Sequence, residues 1–119
     1  MKAADFRRIA LGMAGAVESA HMGHPDFRAH GRIFATLHAD LRRGMVKLTP
    51  EQQSLFVERA PAVFSLESGA WGRQGCTRVE LATADPEILG EAMTLAWKNS
   101  AAKPGKVARK AARNARKGR

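Results

Sequence analysis

Charge is distributed so unevenly along this chain that it limits where a core can form. Eight of the 20 Lys and Arg residues fall in the last seventeen positions, which hold no Asp or Glu: Lys103, Lys106, Arg109, Lys110, Arg113, Arg116, Lys117 and Arg119. The other 102 residues carry twelve cations and eleven carboxylates, a net charge of +1 where the whole chain has +9. A folded body is therefore expected over residues 1–102, nearly neutral and large enough for one modest core. Residues 103–119 read as a flexible basic tail that begins at Lys103-Pro104-Gly105. The tail is rich in alanine, and Val107 is its one larger apolar residue, so it can turn helical where phosphates neutralise it but has little with which to dock on the body.

Hydrophobic spacing places the elements of the body. Phe6, Ile9, Ala10 and Met13 form one apolar stripe of a helix over 4–14. Short strands are expected at 17–22, 26–30 and 32–38, the last alternating Ile33, Ala35 and Leu37 with Phe34, Thr36 and His38. His30-Gly31 marks a tight hairpin turn between the second and third. A fourth strand, 44–48, places Lys47 on the face opposite Val46 and Leu48. Thr49-Pro50-Glu51-Gln52 opens a helix with a capping box and Pro at the first position, and Leu55 and Phe56 are expected to face the core. A strand at 63–66, a glycine-punctuated loop at 68–75 anchored by Trp71, and a strand at 77–81 follow. The last helix has Asp85 as cap and a stripe of Ile88, Ala92, Leu95, Ala96 and Asn99. The order implies an α+β fold with an antiparallel sheet.

The chain displays no catalytic constellation, so no enzyme and no cofactor are expected. His21 and His24 invite a metal reading, but Gly23 and Pro25 break any helix there. No set of three or four ligands is completed around them, so they read as loop histidines, exposed or bonded to backbone, with no metal. Cys76, the single cysteine, reads as a small buried thiol, although Arg73 and Arg78 are near enough in sequence to lower its pKa. The Gly69, Gly72 and Gly75 run lacks the Lys-Ser or Lys-Thr of a phosphate loop. The carboxylates are scattered and are expected on solvated faces or at helix starts. Signal-peptide and membrane-span patterns are missing, which points to a cytoplasmic protein.

Several segments together resemble the MmcQ/YjbR family. They are His21-Met22-Gly23-His24-Pro25-Asp26-Phe27-Arg28, Gly31 to Leu37, Lys47-Leu48-Thr49-Pro50-Glu51-Gln52-Gln53 and Gly69 to Val79. The resemblance spans about residues 3–100 and leaves the basic tail outside. It implies a CyaY-like α+β fold, with helices packed on one face of an antiparallel sheet, and a DNA-binding role through a double wing of hairpins. Cys76 stands where the family often has an aromatic residue. A frataxin-like iron role is argued against by the first helix, where Arg7 and Arg8 accompany one carboxylate, Asp5.

The leading expectation is a small, monomeric, non-enzymatic protein that binds nucleic acid, DNA rather than RNA, with no membrane partner. Its phosphate contacts are assigned to Arg28, Arg32, Lys47, Arg73 and Arg78 in the body and to the eight tail cations. The alternative is a module that binds a small ligand or a protein in a groove beside Trp71, with the tail incidental.

Overall fold

The computed structural model describes residues 1–101. The basic segment 103–119, with its assigned flexibility and phosphate contacts, lies outside the described residues.

Each expected helix forms, the second and third with the N-terminal caps their sequence supplies. The stripe of Phe6 and Ala10 is buried in α1 (Ala3–Leu11), with Ile9 and Met13 packed at its margin. The helix stops three residues earlier than expected, at the Gly12 cap. In α2 (Pro50–Arg59) the Thr49 hydroxyl accepts from the Gln52 amide at 3.1 Å, and the Gln52 side chain accepts from the Thr49 amide at 2.9 Å. In α4 (Pro86–Ser100) the Asp85 carboxylate accepts from the Ile88 amide at 3.0 Å.

Among the described residues six strands make one antiparallel sheet in the order β1-β2-β3-β4-β6-β5. They are β1 (Val17–His21), β2 (His24–Ala29), β3 (Arg32–Leu37), β4 (Arg43–Lys47), β5 (Phe64–Leu66) and β6 (Cys76–Glu80). Met22-Gly23 and His30-Gly31 close the first two hairpins with positive φ at both residues, the geometry whose twist matches that of paired strands. His21 and His24 thus flank a two-residue turn, each within a strand, and are not loop residues.

Helices α1 and α4 pack side by side on one face, with α4 lying along β3 and β4. Phe6, Phe27, Phe34, Leu37, Val46, Val79, Leu89 and Met93 fill the layer between. Burying each of the larger side chains contributes about 1.5–3 kcal/mol.

Three expectations are corrected here. The strict alternation of β3 fails because its pairing with β2 shifts at Phe27/Arg28, where two β3 residues are taken up against one of β2. Phe34, Ala35 and Leu37 are consequently all in the core, while Ile33 and Thr36 face the other side. Leu55 is 62% exposed, since α2 turns Gln53 and Phe56 inward instead. The inner stripe of α4 is Leu89, Ala92, Met93, Ala96 and Ser100, rotated about one residue from the expected one, with Ile88 and Leu95 at its margin.

Gly44 lets Phe6 approach β4 closely. A Cβ there would stand 2.5 Å from Cε2 of Phe6, which lies over β4 and is wholly buried. Gly44→Ala is expected to destabilise the body by about 1–3 kcal/mol through overpacking. Gly90→Ala, within α4 and facing open space, is expected to stabilise it by up to about 1 kcal/mol. Urea unfolding of the two variants checks the contrast.

Candidate ligand-binding cleft

The sheet face opposite α1 and α4 carries a cleft of about 320 Å³. Ile33 and Thr36 of β3, Met45 and Lys47 of β4, and Cys76 of β6 line it from the sheet. His21, His24, His38, Glu67 and Ser68 complete the lining. Trp71 forms a further wall and is 65% exposed.

Trp71 stands on α3 (Gly69–Arg73), a short helix within the segment expected to be a loop, and it does not anchor that segment in the core. The anchor is Gln53. Its buried amide donates to the Gly72 carbonyl at 2.9 Å and to the Cys76 carbonyl at 3.1 Å. Gly72 lies so close to the Glu67 carbonyl, and Gly75 to that of Leu48, that a Cβ at either would collide with backbone. The glycine spacing therefore serves close approach and holds Glu67 and Trp71 at the cleft.

Two carboxylates that look isolated in the sequence each join a histidine to an arginine. Asp26, with 0% side-chain exposure, accepts from Arg28 Nε at 2.7 Å and from Arg28 Nη2 at 3.1 Å, and meets His21 Nδ1 at 2.6 Å. The Arg28 hydrogen bonds hold its carboxyl below the usual range. They are aided by the His21 bond and opposed by burial. An ionised Asp26 only accepts, so His21 directs its Nδ1 proton to it and keeps Nε2 for other partners. Glu67 repeats the motif, meeting His38 Nε2 at 2.7 Å and accepting from Arg78 Nη2 at 3.2 Å and Nε at 3.3 Å. The first set is local in sequence and was hidden by reading 21–24 as a loop, whereas sequence distance hid the second. The β1–β2 turn makes the first, and the pairing of β5 with β6 brings Glu67 beside Arg78.

The assigned cations separate accordingly. Lys47 projects away from Val46 and Leu48, as its strand position requires, and lines the cleft. Arg28 and Arg78 lie on the same face, each bound to a carboxylate. Arg32 pairs across the hairpin with the core residue Ala29, away from Arg28. Arg73 is exposed in the last turn of α3. Cys76 is buried, which pushes its thiol pKa up. Nearby Lys47 opposes this and Glu67 adds to it, so the neighbouring arginines do not activate the sulfur. Among the described residues no cluster of three or more His, Cys, Asp or Glu is arranged to hold a metal ion. No helix among them is long and apolar enough to cross a membrane.

The architecture defines an α+β protein with a one-sided helical layer and a cleft on its other face. The YjbR family model matches residues 11–99, and the chain belongs to that family. A crystal structure of Deinococcus radiodurans protein DR2400, which carries the DUF419 domain, is similar in fold. Its TM-score is 0.66 at 18% identity, over 81% of this chain and 75% of that one. No curated protein matches the chain.

Asp26 gives the site a pH signature. A carboxyl held below its unfolded value of about 3.9 contributes stability that is present above that value and lost as pH falls through the folded one. Asp26→Asn is expected to remove this acid-dependent component and to cost about 2 kcal/mol at pH 7, because Arg28 and His21 lose a charged acceptor. Urea unfolding of both proteins between pH 2 and 7 measures the difference.

Proposed function

We propose that the body is a binding module that takes a small ligand in the open-face cleft, without a catalytic step. The observation that carries this reading is Trp71, a large ring left mostly in solvent as one wall of a concavity lined by Ile33, Met45 and Cys76. A concave, largely apolar site with a few convergent polar groups is the usual form of a small-molecule site. An exposed aromatic supplies contact area at little entropic cost. The internal pairing of Asp26 and Glu67 adds to this, since it satisfies those two carboxylates and their arginines within the body.

The two indole groups provide the test. Trp97 Nε1 donates to the Ala14 carbonyl at 2.8 Å, away from the cleft, and serves as an internal reference. In the ¹⁵N spectrum of the full chain, a cleft ligand from a panel of small metabolites is expected to shift the Trp71 indole signal and leave that of Trp97 in place. A broad panel that moves neither would contradict the reading.

A second reading is favoured by the charge of residues 103–119. Eight cations without a carboxylate suit sequence-independent attachment to nucleic acid, DNA above RNA, and the DNA-binding role implied by the family resemblance belongs here. Arg28 and Arg78 would have to leave Asp26 and Glu67 to serve a phosphate, so the tail carries the larger share. Duplex binding by the full chain is expected to fall with salt at a log–log slope no steeper than about −7, and binding by residues 1–102 to be far weaker. Equal affinities would move the contact to the body, and salt-insensitive binding would end this reading.

A further inference from the structure

We infer that the cleft selects a planar, apolar monoanion, a ligand with one or two fused rings and a single acidic group. This rests on the cleft reading above and adds the charge and shape of the ligand.

The charge follows from counting partners around the cleft. Glu67 is shared between His38 and Arg78, and Asp26, behind His21, between His21 and Arg28. Each carboxylate is thereby matched by an arginine. Lys47 is different: among the described residues its ammonium makes no ion pair, and it is half-buried against the cleft wall beside Cys76. A partly buried ammonium lacking a counter-charge pays desolvation without return, and an acidic group on a ligand supplies both the charge and the hydrogen-bond acceptor. One unmatched cation calls for one negative charge. The basic segment 103–119 is disfavoured as the occupant, since it would bring like charge to Lys47.

The shape follows from the walls. Ile33, Met45 and Cys76 offer an apolar floor, and the exposed face of Trp71 suits a flat ring. The volume of about 320 Å³ lies at the small end of ligand sites, which fits a fused bicycle.

An isosteric pair of probes, 2-naphthoate and 2-naphthamide, separates charge from shape. Each is titrated into the ¹⁵N-labelled full chain, with the Trp71 indole as reporter and the Trp97 indole as the measure of intact fold. The naphthoate is expected to bind about tenfold tighter than the naphthamide, and Lys47→Met to remove that preference while naphthamide binding persists. Equal affinity of the two probes for the unaltered chain would overturn the charge assignment and leave the cleft standing. A naphthoate preference that survives Lys47→Met would also overturn it, by placing the anion on another cation. If neither probe moves the Trp71 indole, the inference fails, and the cleft reading is then decided by the broad metabolite panel. If Lys47→Met displaces the Trp97 indole, Lys47→Gln replaces it in the same titration.

Discussion

The packing of α1 and α4 on one face of the sheet is the constraint from which the rest of the molecule follows. Phe6 reaches across to β4 at a point where only glycine leaves room, and Leu89 and Met93 extend the same layer along β3 and β4. A sheet covered on one side must deal with its other side by charge, by solvent or by further structure. Here the strands at the centre, β3, β4 and β6, leave Ile33, Met45 and Cys76 on that side, too apolar for a plain solvated surface. The bulge in β3 contributes, because it turns Ile33 away from the core while keeping Phe34 and Ala35 in it.

What stands over that face is a short helix held by hydrogen bonds. Gln53 reaches from α2 to two carbonyls, on Gly72 and Cys76, and so ties α3 and the start of β6 to a helix with its own capping box. With α3 fixed, Trp71 and Glu67 have defined places at the cleft. The charged groups then settle into two sets of histidine, carboxylate and arginine, and only Lys47 is left facing the cleft without an ion pair among the described residues. Surface pairs of this kind add little stability individually, but the wholly buried Asp26 is a different matter, since its charge depends on the two groups that bind it.

Much of this fold was legible in the sequence because its signals are local. The caps at Thr49 and Asp85, the His30-Gly31 turn and the stripe of α1 each depend on neighbours within a few residues. The errors arose where a distant contact decides. Leu55 reads as core by composition, but α2 rotates to bury Gln53, whose partners lie at 72 and 76. The glycines at 72 and 75 read as a loop because their role is close approach to the backbone of Glu67 and Leu48. The cleft itself was visible only as an exposed possibility beside Trp71. Glu67 and Arg78 meet across paired strands, and His38 joins Glu67 from 29 residues away. His21 and Asp26 were close enough in sequence to be noticed; reading 21–24 as loop concealed the turn that joins them.

The most direct measurement is a crystal structure of the chain grown with 2-naphthoate. The account predicts the ring against Trp71 and over Met45, with its carboxylate within hydrogen-bond distance of Lys47 Nζ and the Asp26 and Glu67 pairs unbroken. A naphthoate found only outside the cleft, with the space between Trp71 and the sheet unfilled at saturating ligand, would contradict it.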